Sequence, residues 1–228
     1  MLEVRNVFKS FRRAGEKMPE KPLDGVSFTV GYGEIVGLMG KSGEGKSTIA
    51  RILCGTLKAD SGSASFNGEV LFDNSHYSRS AGFGIQLIPQ QPFSALDPRQ
   101  RLGNAVIEPL LYHKIALSKA DARSIAMQLF SDALLEDELF TRFPSQVSGG
   151  QAQRAVIART LAVSPKLLIA DEATSMLDML SQAQIIDILR SLVKSKGISI
   201  LIISHDAELI KSVSDRRYVL AEGMLSEN

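Results

Sequence analysis

The 228-residue chain has little cysteine, no excess of either charge and no long apolar run. Each shortage narrows the function. A single thiol, Cys54, rules out an internal disulfide framework and any multi-cysteine metal site. It stands in STIARILCG, an apolar stretch of helical pattern, so a packed core thiol is expected, and a reducing compartment fits it. Lysine plus arginine number 26 against 25 acids, a net charge of +1. That argues against a nucleic-acid partner held by a broad basic face. Apolar runs such as ISILII fall far short of the roughly 20 residues that cross a bilayer. The opening MLEVRNVFKSFRR alternates like a strand and lacks the apolar run of a signal peptide. There are no internal repeats and no low-complexity tract.

What remains is an ordinary globular composition, 44% hydrophobic and 22% charged, long enough for one sizeable core. Three near-continuous apolar runs, EIVGLMG (34–40), KLLIADE (166–172) and ISILIISHD (198–206), predict strands covered on both faces in a parallel sheet. Each ends in polar residues, at the edge where ligands gather in open α/β sheets. The second run precedes LSQAQIIDILRSLVKSKG, in which Ile185, Ile186, Ile188, Leu189, Leu192 and Val193 form one apolar stripe at helical spacing. Ser181 and Gln184 fit a capping box there, and Gly197 fits the stop. Residues 1–33 and 62–75 are short alternating pieces that predict a small antiparallel sheet. Residues 100–145 read as an inserted helical lobe, with Pro92, Pro98 and Pro144 at its edges.

GKSGEGKS at 40–47 matches G-x-x-x-x-G-K-[ST], after a predicted strand and before a predicted helix. Gly40, Gly43 and Gly45 let the backbone fold so that successive N–H groups, including those of Lys41, Ser42 and Glu44, face phosphate oxygens. The helix N-terminus adds partial positive charge. Lys46 would reach the β- and γ-phosphates, the Ser47 hydroxyl would ligate Mg²⁺, and Thr48 would lie near the α-phosphate. The bland alternative is a glycine-rich turn that binds nothing.

LLIADEATSMLD holds Asp171 and Glu172 at a strand end. An aspartate there can hold Mg²⁺ through its water shell, and the adjacent glutamate can polarise an attacking water. Alone, the pair is equally an exposed strand-end acid pair; beside a phosphate loop the functional reading wins. His205 ends the third apolar run, where the γ-phosphate would lie, though a lone histidine is more often a satisfied surface or core residue. Gln90, in LIPQQPF, could carry an amide to the metal or the water.

These motifs, in this order, resemble the nucleotide-binding subunit of an ABC transporter along nearly the whole chain. Its most specific element is VSGGQAQR followed by LLIADEATSMLD. The resemblance implies an α/β fold: a phosphate-loop NTPase core with a parallel sheet, a small antiparallel β subdomain and an inserted helical subdomain. The boundaries would be about 1–90 and 160–228 for the core and about 91–159 for the helices, within a single 1–228 domain. It implies that Phe11 stacks on adenine, Gln90 joins core to helical lobe, Asp171 is the metal-associated acid and Glu172 the catalytic glutamate. Asp178 would end the loop that contacts a partner subunit, and His205 would be the switch histidine. Val147 stands for the usual leucine, Ala152 for a common basic residue and Ala173 for a common proline. None of these removes a group that catalysis needs.

The resemblance further implies ATP and Mg²⁺ as ligands, and head-to-tail dimers with each ATP between one phosphate loop and the other chain's VSGGQAQR. Ser148, Gly149, Gly150 and Gln151 would contact that nucleotide. Physically, Gly149 and Gly150 leave N–H groups uncovered at a helix start, where the dipole favours an anion, and Ser148 adds a hydroxyl. Ser148 and Gln151 also have capping-box spacing, but a cap does not need two glycines that weaken a helix by roughly 0.8–1 kcal/mol each. The stretch LIPQQPFSALDPRQRLGNAVIEPL, through Pro92, Phe93, Leu96, Pro98 and Arg99, is similar to importers of dipeptides, oligopeptides and nickel. The implied partners are permease subunits, a second ATPase chain in a heterodimer (or a homodimer), and indirectly an extracytoplasmic substrate-binding protein, with no nucleic acid. The implied place is the cytoplasmic face of the membrane. The rival reading is a soluble ABC-type ATPase acting on nucleic acid or protein complexes.

Overall fold

The computed structural model describes residues 1–11, 20–74 and 76–228. In chain order the first elements are β1 (Leu2–Phe11), β2 (Glu20–Val30), β3 (Ile35–Met39), α1 (Lys46–Leu53), β4 (Ser61–Phe66), β5 (Glu69–Asp73) and β6 (His76–Tyr77). Then come α2 (Arg79–Gly82), β7 (Ile85–Ile88), α3 (Leu102–Tyr112), α4 (Lys119–Asp132) and α5 (Gly149–Leu161). The last are β8 (Leu167–Asp171), α6 (Met179–Lys196), β9 (Ser199–Ser204), α7 (Ala207–Val213), β10 (Arg216–Ala221) and β11 (Met224–Glu227). Two compact units result: Met1–Leu87 with Leu167–Asp171 and Gly197–Asn228, and Ile88–Lys166 with Glu172–Lys196.

The first unit carries two sheets. One has the order β2-β1-β4-β5-β6 with antiparallel pairing throughout, as the alternating segments predict. In β2, buried Val26, Phe28 and Val30 alternate with exposed Ser27 and Thr29, the period of a strand with one face in the core. Residues 12–19 and 75 of the predicted segments lie outside the described residues. The other sheet has the order β11-β10-β3-β9-β8-β7, with β10, β3, β9 and β8 parallel. Every residue of β3 and β9 is buried, which is why these segments lack polar alternation. Val36, Leu38, Ile169 and Leu201 of this sheet, Ile49 and Leu53 of α1, and Val26 and Phe28 of β2 share one core. Each such side chain contributes about 1.5–3 kcal/mol of burial.

Two features depart from the sequence reading. The antiparallel hairpin β10–β11 was not expected, although Glu222 (φ 51°) and Gly223 (φ 78°) form its two-residue turn between paired Ala221 and Met224. Positive φ at both central residues is the hairpin geometry that suits strand twist. Helix α6 also begins two residues earlier than the expected capping box at Ser181 and Gln184. Asp178 caps it: Oδ1 accepts Ser181 N–H at 2.9 Å and Oδ2 accepts the Ser181 hydroxyl at 2.8 Å. An aspartate ahead of the first turn outcompetes a serine inside it, because its charge also suits the helix dipole. Gly197 ends α6 at φ 64°, as expected, and Val193 is only half-buried.

The second unit is helical. Ser118 caps α4 by accepting Asp121 N–H, and the Phe130 and Phe140 rings meet at 5.0 Å in its core. Lys196 Nζ pairs with Asp132 Oδ2 at 2.8 Å, tying the end of α6 to that of α4. Pro92 and Pro144 open 3₁₀ turns, where a missing N–H costs nothing.

Candidate functional site

In the first unit the register of the parallel sheet sets the site. Met39 pairs with Ser204 and Asp171 with Ile203. Gly40, His205 and Asp171 therefore stand at the carboxyl edge of three neighbouring strands, β3, β9 and β8. Gly40–Gly45 then leads into α1. Gly45, at φ 101°, precedes the helix, and a Cβ there would lie 2.6 Å from Pro22 O, so only glycine fits. Gly45 O accepts Thr48 N–H at 3.0 Å, closing the first turn. Ser42 and Gly43 are exposed at the loop tip.

Lys46 is 4% exposed, and its Nζ donates to Gly40 O at 2.7 Å and Lys41 O at 2.8 Å. The ammonium is thus held against the loop it would serve. Ser47 Oγ donates to Asp171 Oδ1 at 3.0 Å, bringing together two predicted metal ligands 124 positions apart. Both are hard oxygen donors. Among the described residues no group of three or more His, Cys, Asp or Glu could form an all-protein cage. This donor set fits Mg²⁺, which takes one or two protein oxygens, keeps waters and shares phosphate oxygens. Burial first, and then the charge of Asp171, pushes the Cys54 thiol up to about 12, so it is a packed thiol and no nucleophile.

His205 is exposed just beyond β9, and Asp206 beside it caps α7 through Glu208 and Leu209 N–H groups. Phe11 ends β1 opposite Glu20, on the strand next to the one whose Pro22 touches Gly45. Its ring is 38% exposed, with Lys9 Nζ 5.5 Å from the centroid. An exposed, cation-flanked ring on this sheet suits a stacking role.

The second unit holds the other predicted residues. Gln90 Nε2 donates to Glu172 Oε2 at 3.3 Å and to Ser175 Oγ at 3.2 Å. Ser175 N–H and hydroxyl both turn back to Glu172 O, at 3.1 and 3.0 Å. Two positioning residues escaped the sequence reading. Gln153, fully buried, donates to Pro89 O at 3.0 Å, and Arg159 donates to Ala95 O at 2.7 Å. Both project from α5 and fix the chain on either side of Gln90. A polar residue on the buried face of a helix was the signal that could have found Gln153.

At the start of α5, Ser148 Oγ accepts Gln151 N–H at 3.2 Å and Gln151 Oε1 accepts Ser148 N–H at 2.9 Å, the capping box read from the sequence. Packing bears differently on the two glycines. A Cβ on Gly150 would lie 2.6 Å from Ser181 Oγ, so packing against α6 already demands glycine there. Gly149 has only ordinary contact, 3.6 Å to Leu177 Cδ2, and is the glycine packing does not require. Asp178 is exposed, and its hydrogen bonds from Ser181 hold its carboxyl below the usual range. Phe93, in the importer-like stretch, is 49% exposed, while Leu96 is buried. Among the described residues no helix is long and apolar enough to cross a membrane.

Comparison with known proteins agrees with these features. Residues 23–175 match the family model described as ABC transporter. The chain is 37% identical over 231 residues to the oligopeptide transport ATP-binding protein OppF of Streptococcus mutans, covering all of this chain and 74% of that protein. It is 37% identical over 232 residues to the nickel import ATP-binding protein NikE of Rhodospirillum rubrum, covering all of this chain and 83% of that one. A dimeric ATP-binding cassette in a post-hydrolysis state with ADP and Pi superposes with a TM-score of 0.87 at 27% identity, over 100% of this chain and 98% of that one. Along the whole chain these likenesses accompany a sheet edge that gathers the phosphate loop, Asp171 and His205, and the chain belongs to the ABC transporter family as one of its ATPases.

Proposed function

We propose that this chain is the ATP-hydrolysing subunit of an importer for peptides, nickel or a related metal chelate. Likeness along its whole length to both an oligopeptide and a nickel transport protein is the observation that carries this reading. It also weighs against the rival, a soluble ATPase of nucleic acid or protein complexes. The chain works at the cytoplasmic face of the membrane with permease subunits and a second ATPase chain, in a heterodimer; a substrate-binding protein delivers the cargo. The dimeric form of the ATP-binding cassette with this fold supports pairing of two such chains.

The chemistry needs no covalent intermediate. The loop amides that follow Lys41, whose own N–H Glu44 accepts, and the Lys46 ammonium bind and neutralise the phosphates, and the helix start of α1 adds its partial charge. Ser47, Asp171 and Gln90 would hold Mg²⁺, which when bound neutralises charge developing on the phosphate oxygens. Glu172, held by Gln90, orients and deprotonates the attacking water. Phe11 stacks on the adenine, and His205 contacts the γ-phosphate. Ser148, Gly149, Gly150 and Gln151 of a partner chain close over the nucleotide, with Asp178 at the same contact. ATP holds the two chains together and hydrolysis releases them, and that two-state closure drives the permease.

The test is uptake of oligopeptides and nickel chelates by vesicles holding the reconstituted complex. ATP-dependent accumulation of one class, lost with Glu172→Gln, is the expected result. Hydrolysis indifferent to every cargo and to the permease would sink the proposal.

A further inference from the structure

A phosphate-binding loop receives anions, yet this one contains an acid, Glu44. Its carboxylate is engaged. Glu44 Oε2 accepts the N–H of Lys41 at 2.6 Å, and Glu44 N–H donates back to Lys41 O at 3.4 Å. Lys46 Nζ donates to that same Lys41 carbonyl and to Gly40 O. The Gly40–Lys41 pair is therefore fastened twice, through its N–H by the acid and through its carbonyls by the ammonium. Gly40 makes room for this: a Cβ there would lie 2.6 Å from Leu220 O and 2.7 Å from Glu44 Oε2, so a side chain would displace the carboxylate or the backbone beside it.

We propose that Glu44 is a positioning residue of the nucleotide site, holding the phosphate loop in its receiving shape by binding Lys41 N–H. This rests on the ATPase reading and adds a part to it. Gly43 (φ 88°) and Gly45 (φ 101°) make the segment costly to order, since glycine loses more conformational freedom than any other residue. A tie made before the ligand arrives removes that cost from binding. A charged acceptor makes the tie about twice as strong as a neutral one. The same tie confines the carboxylate to the Lys41 amide and leaves the later N–H groups of the loop to the phosphates.

The experiment uses the full chain, a fluorescent ATP analogue with Mg²⁺, and three variants. Glu44→Gln keeps an oxygen that can accept the same N–H; Glu44→Asp keeps the charge but is one methylene too short; Glu44→Ala keeps neither. Glu44→Ala and Glu44→Asp should each weaken binding about tenfold, the size of one lost charge-assisted hydrogen bond. Glu44→Gln, with a neutral acceptor of about half the strength, should weaken binding only about threefold. Hydrogen exchange at the Lys41 amide should be slow in the parent and Glu44→Gln and fast in the other two. Equal affinity in Glu44→Ala and the parent overturns the proposal, and so does a Glu44→Gln variant as weak as Glu44→Asp. If Glu44→Ala does not fold, the Gln–Asp comparison decides alone. A parent chain that binds no nucleotide would instead overturn the ATPase reading, while the exchange pattern still reports on the Glu44–Lys41 tie.

Discussion

Gln90 Nε2 donates to Glu172 Oε2 at 3.3 Å, so the amide of one loop holds the acid that follows β8. Glu172 itself sits at φ 49°, a left-handed conformation that costs a non-glycine residue about 1–2 kcal/mol. Strain of this kind persists where surrounding contacts enforce it, often at working sites. Glu172→Gln keeps the size and a hydrogen-bonding oxygen but removes the base. Nucleotide affinity should hold within about twofold while turnover falls by roughly 10²–10⁴. Steady-state hydrolysis beside equilibrium binding reads the split, and size-exclusion chromatography with ATP should show a trapped dimer. Near-normal turnover would remove Glu172 from the role of base.

Lys46 separates binding from chemistry in the opposite sense. Its ammonium is buried and held by Gly40 and Lys41 carbonyls, in the loop proposed to receive phosphate. Lys46→Ala removes the proposed charge-assisted contact to the nucleotide and leaves those carbonyls without their Lys46 donor. ATP affinity should fall by at least about tenfold, since hydrogen bonds to charged groups are worth about 1.5–3 kcal/mol. Calorimetric titration checks it; unchanged affinity would take Lys46 out of the phosphate site.

The sequence was most legible where one physical requirement acts alone. Strands β3, β8 and β9 are buried on both faces, so their apolar runs could be read directly. The phosphate loop was legible because its glycines and lysine recur at fixed offsets between a strand and a helix. Less was legible where distant residues share a constraint. Nothing local to Gly150 announces Ser181, and nothing local to Gln153 announces the Pro89 carbonyl. The start of α6 was misplaced because two capping patterns overlap, and Asp178 prevails over Ser181 by hydrogen-bonding it. The β10–β11 hairpin hid behind an Glu-Gly turn, a weaker signal than Asn-Gly.

Glu34 predicts a pH dependence. Burial pushes its carboxyl up, but hydrogen bonds from Arg216 and Gly31 N–H, with the Arg216 charge, outweigh that and leave it below the usual range. A depressed carboxyl stabilises the fold fully above the unfolded value, about 4.3, and loses that contribution as pH falls through the folded value. Glu34→Gln should therefore cost about 1–2 kcal/mol at neutral pH and progressively less at an acid pH, as the pH falls through the parent's depressed folded value. Urea melts of both proteins at the two pH values measure the difference. A cost that does not shrink in acid would show that Glu34 acts through packing alone.

Gly149 and Gly150 should respond differently to the same methyl group. At Gly150 a Cβ would meet Ser181 Oγ at 2.6 Å and Ser181 Cβ at 2.9 Å, and Ser181 cannot retreat without loosening the Asp178 cap. Gly150→Ala should destabilise the chain by about 1–3 kcal/mol, the ordinary cost of overpacking. At Gly149 there is room, and replacing glycine in a helix interior gains up to about 1 kcal/mol, with less expected in the first turn. Gly149→Ala should thus melt no earlier than the parent yet lower ATP turnover in the assembled dimer, because the proposed site brings its backbone against a neighbour's nucleotide. Thermal melting and hydrolysis measured together decide. Loss of stability in Gly149→Ala, or full turnover in it, would mean that neither glycine is kept for an anion and that α5 begins as it does for packing alone.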